Sequence, residues 1–251
     1  MKKRFFIQLS YKGTNYHGWQ IQPNAITVQE VLNKALSTIL NEEINVVGCG
    51  RTDTGVHSSY FMAHFDTSKE NYDFGKLAFR LNRFLPKDIA IQEVFPVHAE
   101  AHTRFDAKSR TYHYFITKEK NPFRLESHWK VHYELDVAKM NEAAQILFDY
   151  IDFTSFSKLH TDVKTNNCKI YYAQWEERGD ELIFTIKADR FLRNMVRAIV
   201  GTLVEVGRGK LTLDGFRKVI ESKNRSNAGT SVPGHGLFLA DIEYPEEIRV
   251  L

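Results

Sequence analysis

Residues 3–10 run from basic to apolar positions, Phe5-Phe6-Ile7 and Leu9, and read as a first strand. A polar, aromatic loop follows over 11–20. Thr27-Val28-Gln29-Glu30 then reads as a capping box, with Thr27 and Glu30 three residues apart at a helix start. Behind it Val28, Val31, Leu32, Ala35, Leu36 and Ile39 recur at helical spacing. Apolar-rich runs at 44–47 and 60–65 predict two strands flanking a glycine-rich turn. Asp73 is placed to cap a second helix carrying Leu77, Ala78, Leu81 and Phe84, which Pro86 ends. A last strand over 89–97 completes the order β-α-β-β-α-β.

The second part of the chain repeats that order. A long strand is predicted over 105–117 and a short one over 130–133. Asp136 caps a helix with Val137, Met140, Ala144 and Leu147 on one side. A polar segment spans 153–167, then strands over 168–176 and 181–188, a helix over 190–206, a short helix near 213–220 and a final strand over 236–242. The pattern predicts an α+β protein of two split-βαβ, ferredoxin-like halves, 1–103 and 104–251, with helices on one face of a mostly antiparallel sheet. Two such sheets joined edge to edge would be continuous and leave a central cleft. The halves share a pattern and no visible sequence identity.

Composition narrows the class. With 251 residues and 43% apolar content the chain can build a sizeable core. No apolar stretch reaches the length of a membrane span. The basic-then-apolar start is too short and too interrupted, by Gln8, Ser10 and Lys12, for a signal peptide, so it is read as the first strand. Cys49 and Cys168 fit neither a disulfide framework nor a zinc site, which points to a reduced, cytoplasmic protein. Net charge is only +3, but seven Lys/Arg face three Asp/Glu over 104–130, and six face two over 187–210. Local basic excess of this kind serves phosphate binding, or simply makes a solvated face.

Four stretches carry candidate chemistry. In Gly50-Arg51-Thr52-Asp53-Thr54-Gly55-Val56-His57 a carboxylate and a guanidinium sit two residues apart, on one side of an extended segment. A nearby cation favours the ionised carboxylate, though Asp before a residue and a Gly is also ordinary turn chemistry. In Arg104-Phe105-Asp106-Ala107-Lys108-Ser109-Arg110-Thr111-Tyr112-His113-Tyr114, strand alternation puts Arg110, Tyr112 and Tyr114 on one face. An aromatic among bases suits stacking on an extruded nucleobase, and equally a core tyrosine with a satisfied hydroxyl; spacing alone does not choose. Helical spacing would place Arg190, Arg193 and Arg197 on one stripe, with Leu192, Met195, Val196, Ile199 and Leu203 on another. Gly201 inside that helix implies close packing. Finally, the loop over 228–236 feeds the last strand, where Leu237 either lines a site or simply belongs to a core strand.

Together these segments resemble the TruA family of tRNA pseudouridine synthases. The resemblance runs from Gly50-Arg51-Thr52-Asp53-Thr54-Gly55-Val56-His57 through Ala101-His102-Thr103-Arg104-Phe105-Asp106-Ala107, Ser109-Arg110-Thr111-Tyr112-His113-Tyr114 and Asn121-Pro122-Phe123. It continues through Asp152-Phe153-Thr154-Ser155-Phe156, Phe191-Leu192-Arg193-Asn194-Met195-Val196-Arg197, Val200-Gly201 and Gly236-Leu237-Phe238-Leu239. Thr54 stands where the family usually has Ala, and Val232-Pro233-Gly234-His235 is looser than the usual ending. The resemblance implies an enzyme that isomerises uridine to pseudouridine in the tRNA anticodon stem-loop, at positions 38, 39 and 40. It implies Asp53 as nucleophile, Arg197 as the partner of Asp53 and Tyr112 stacked on the target base. Arg51, Arg110, Arg193 and Leu237 are further expected substrate contacts. It also implies a homodimer acting on tRNA. No cofactor or metal is expected, since Walker, dinucleotide and metal-ligand spacings are missing from the sequence; His17, His57, His102 and His235 are read as structural or RNA-contacting. Two alternatives stay open: a tRNA-binding or folding module without essential catalysis, and the same chemistry at other RNA positions.

Overall fold

The computed structural model describes residues 2–70, 72–158 and 165–250; the middle of the polar segment expected over 153–167 lies outside them. The chain is mixed α+β and divides into two compact units, Met1–Lys108 with Leu239–Leu251, and Ser109–Phe238.

In the first unit β1 (Lys3–Tyr11) leads to α1 (Val28–Leu40). The Thr27 hydroxyl accepts from the Glu30 N–H, so the expected cap is in place. Val28, Leu32, Ala35, Leu36 and Leu40 form the buried stripe of α1, each large aliphatic contributing roughly 1.5–3 kcal/mol by leaving water. The strand expected over 44–47 shrinks to β2 (Val47–Gly48), paired to β3 (His57–Thr67). Then come α2 (Leu77–Phe84) and β4 (Ile89–Val97). Asp73 does not cap α2. It precedes a 3-10 turn, Phe74–Lys76, gives no side-chain cap, and pairs with Lys76 at 2.9 Å.

The strand expected over 105–117 starts later, as β5 (Ser109–Thr117). Asp106 accounts for the difference: its carboxylate accepts from the His102 N–H at 2.7 Å and its own N–H donates to the His102 carbonyl, folding 102–106 into a turn. β6 (Trp129–Lys130) pairs parallel to β5. α3 (Val137–Ile146) is capped by Asp136 through the Lys139 N–H at 3.0 Å, as expected. β7 (Ile170–Arg178) and β8 (Glu181–Ala188) form an antiparallel hairpin, and β8 continues the sheet to β5. The helix expected over 190–206 is α4 (Met195–Gly207); α5 (Leu213–Glu221) and β9 (Leu237–Glu243) follow.

In the first unit the sheet order is β4-β1-β3 with β9 beside β3, and β2 on β3. In the second it is β5-β8-β7. The first core gathers Phe5, Phe65, Trp19 and Phe61, with the last two rings stacked at 4.1 Å. The second centres on Trp175 and Phe184, stacked at 4.9 Å, with Trp175 bonded through its backbone to Asn141 of α3; α4 in the same unit is almost wholly buried. No described helix is long and apolar enough to cross a membrane.

Candidate active site

Asp53 lies on the loop joining β2 to β3, and a second loop, 11–19, holds it there. The Val56 N–H donates to the Asp53 carbonyl at 3.1 Å, and Gly55 has φ +76°, closing a turn that needs a left-handed residue. Beside it the Trp19 N–H donates to the Thr52 carbonyl, the Gly55 N–H to the Tyr16 carbonyl, and the Gly13 N–H to His57 Nδ1. The buried hydroxyls of Tyr11 and Thr52 meet at 2.9 Å. The two loops are in such close contact that a Cβ on Gly18 would sit 2.3 Å from the Thr52 carbonyl oxygen, and one on Gly13 2.0 Å from that of Val56. Trp19 fills the remaining space against Gly48. Backbone bonds thus hold the turn at Thr52, Asp53, Gly55 and Val56, with Thr52, Val56 and His57 buried, Asp53 half-buried and Arg51 exposed. His57 accepts at Nδ1, a structural role.

The second unit carries the remaining candidates. Tyr112 is half-buried on β5, its ring edge-on to Phe191 at 5.1 Å and 88°. Tyr114, two residues on, is the core tyrosine: wholly buried, its hydroxyl donating to the Pro233 carbonyl at 2.9 Å. Burial raises its pKa above the ordinary phenol value. Arg110 donates to the Asp189 carbonyl at 3.0 Å. The expected stripe of Arg190, Arg193 and Arg197 does not form, because α4 begins only at Met195. Asp189 accepts the N–H groups of Lys169 and Arg190, and Asn194 takes φ +66°, so the chain turns before it coils. Arg190 and Arg193 therefore lie on the approach to α4, with Arg193 exposed.

Arg197 is on α4 itself, half-buried, its Nε donating to the Val232 carbonyl at 2.7 Å while the Val232 N–H returns a bond to the Arg197 carbonyl. The loop 228–233 lies flat on the helix at Gly201, where a Cβ would come 1.9 Å from the Thr230 oxygen. Asn194 to Ser231 and Arg225 to Ser231, Ala228 and Gly229 pin it further. The close packing expected at Gly201 is present. Leu237 is buried at the start of β9. Cys168 is a buried thiol, its pKa pushed up to about 12 by desolvation, and so poorly suited to nucleophilic work. Sequence reasoning missed Trp19, Gly13, Gly18 and Phe191. The two glycines of the 11–20 loop were the available signal, since Gly spacing marks close backbone approach.

A mixed α+β chain with an aspartate on a clamped glycine turn belongs to a class that sequence comparison identifies. The family model described as tRNA pseudouridine synthase matches residues 8–106 and 143–245. The chain is 60% identical over 246 residues to the tRNA pseudouridine synthase A of Parabacteroides distasonis, covering 98% of both chains. It is also 60% identical to that of Bacteroides fragilis and 54% to that of Porphyromonas gingivalis, again over 98% of each chain. These matches make it a pseudouridine synthase, an isomerase. Within that class it belongs to the tRNA pseudouridine synthase A (TruA) family.

Proposed function

We propose that this chain converts uridine to pseudouridine in the anticodon stem-loop of tRNA, at positions 38, 39 and 40, with Asp53 as the nucleophile. The observation that carries the reading is the Asp53 turn: an aspartate whose backbone is locked on both sides, on the motif the family shares. A carboxylate nucleophile gains from such pre-organisation, because no reorientation is needed when the substrate arrives. In the reaction the N1–C1′ bond breaks, the base rotates while held, and a C5–C1′ bond forms. C5 loses a proton and N1 gains one, so nothing is consumed and no cofactor is required. Arg197, fixed by the Val232 carbonyl, serves as the cation paired with Asp53. Tyr112, backed by Phe191, is the ring that stacks on the flipped uracil.

Arg51, Arg110, Arg193 and Leu237 are further contacts in this reading. The split-βαβ halves bordering a cleft, a homodimer sharing one tRNA and a cytoplasmic location belong to it as well. The test is purified protein with unmodified tRNA, followed by mapping of pseudouridine. Product on the 3′ side of the anticodon stem-loop is expected, and Asp53→Ala should remove it while tRNA still binds. Binding with no product from the wild-type chain would favour a binding module instead, and product elsewhere would reassign the target.

A further inference from the structure

Helix α2 presents a face that the chemistry at Asp53 does not use. Leu77, Leu81 and Leu85 point inward and are buried. Arg80 and Arg83 lie three residues apart on the helix, with Lys76 at its N-terminal cap and Lys87 just beyond its end. All four are exposed. Phe79 and Phe84 stand beside them at 64% and 48% exposure, which is unusual for rings this large. The arginines are held by aromatic groups: Arg80 lies 5.1 Å from the Tyr72 ring centroid and donates to its hydroxyl at 3.0 Å, and Arg83 lies 5.8 Å from that of Phe79. Among the described residues no carboxylate is within ion-pair distance of Arg80, Arg83 or Lys87, while Lys76 pairs with Asp73.

The helix is also tied to the reactive turn within its own unit. The chain leaving α2 reaches Asp88, whose carboxylate accepts from Tyr16 at 2.6 Å and Asn15 at 3.0 Å, and whose carbonyl accepts from the Lys12 N–H. Tyr16 in turn accepts from Gly55, two residues beyond Asp53. The end of α2 and the Asp53 turn are thus joined through Asp88 and Tyr16 within one unit.

We propose that the outer face of α2 is a second RNA contact, binding the phosphodiester backbone of the substrate away from the target uridine. Arginines held on rings keep their charge outward at reduced entropic cost, and exposed phenylalanines offer a surface for ribose or an unstacked base. A polyanion with stackable faces matches this combination of charge and aromatic surface. The inference rests on the reading of tRNA as substrate.

The test is tRNA affinity as a function of salt, together with steady-state turnover, for wild type, R80A/R83A, R80K/R83K and K76Q/K87Q. The Kd for tRNA and KM should rise about tenfold in R80A/R83A, and the salt slope should fall by about 1.5–2, near one for each lost phosphate contact. Turnover at saturating tRNA should stay within about twofold of wild type. R80K/R83K should recover most of the affinity, whereas a folding defect would not be relieved by charge alone. K76Q/K87Q, which removes charge without touching a ring contact, should also weaken binding. Unchanged affinity and slope in both R80A/R83A and K76Q/K87Q would overturn the proposal. Should wild type make no pseudouridine while the variants still lose tRNA affinity, the α2 contact would hold and the catalytic reading would fail.

Discussion

Gly18 has φ +85°, and the Thr52 carbonyl oxygen lies where its Cβ would be, at 2.3 Å. Gly18→Ala therefore combines backbone strain with a clash against rigid main chain, and should cost about 1–3 kcal/mol. Chemical denaturation would show it, and turnover should fall further than stability explains, because the displaced atoms belong to the Asp53 turn. His64 gives a second residue-scale expectation. It is buried, bonded to the Thr103 hydroxyl at 2.9 Å and close to Arg4 and His102, and its pKa is pushed down to about 4, chiefly by desolvation. The unfolded chain takes up this proton near the ordinary value of about 6.5. The contribution is thus complete above that pH, declines as pH falls from 6.5 toward 4, and is flat below. Its ceiling is about 3 kcal/mol. His102, His113 and His128, also lowered mainly by desolvation, act in the same direction. Denaturation curves between pH 7 and 4 should show His64→Gln losing less stability than wild type; equal losses would contradict this assignment. The glycine-flanked turn at Asp53 was legible in the sequence, because its motif is local. Trp19 and Phe191 were not, since their importance comes from what they are packed against.

At the scale of elements, helix α4 and its strapping loop set two tendencies against each other. Gly201→Ala should strengthen an isolated helix by about 1 kcal/mol. Here the added methyl would meet the Thr230 oxygen at 1.9 Å, so the net effect should be destabilising by about 1–3 kcal/mol. Since the same loop supplies the Val232 carbonyl that fixes Arg197, activity at a temperature where the variant is folded should also drop. A rise in thermal midpoint with normal activity would show that the loop yields freely. Elements with a local signature were readable in advance: α1 by Thr27 and its apolar stripe, α3 by Asp136, β4 by alternation. Their ends were less so. The strand expected from 105 starts at Ser109 because Asp106 folds back onto His102, and the helix expected from 190 starts at Met195 because Asn194 takes the left-handed region. The first shift comes from a side-chain hydrogen bond that competes with regular structure and the second from a local backbone turn, neither of which hydrophobic periodicity registers.

For the whole molecule, binding of a polyanion to a chain of net charge +3 must come from where the charges lie and not from how many there are. tRNA affinity should fall steeply with salt, by about 10³-fold or more between 50 and 200 mM if six or more phosphates are contacted. A flat titration would exclude a backbone-led complex. The sequence by itself determined the α+β order, the capped helices, the Asp53 motif and, through segments in family register, the class of reaction. Tertiary structure alone decided that the tail from Leu239 joins the first unit, that Tyr114 is core while Tyr112 remains half-buried, and that the loop 11–19 clamps the Asp53 turn. The physical reason is range. Capping and alternation act over a few residues and are written locally, whereas packing against a carbonyl or a ring depends on chain brought close by the fold.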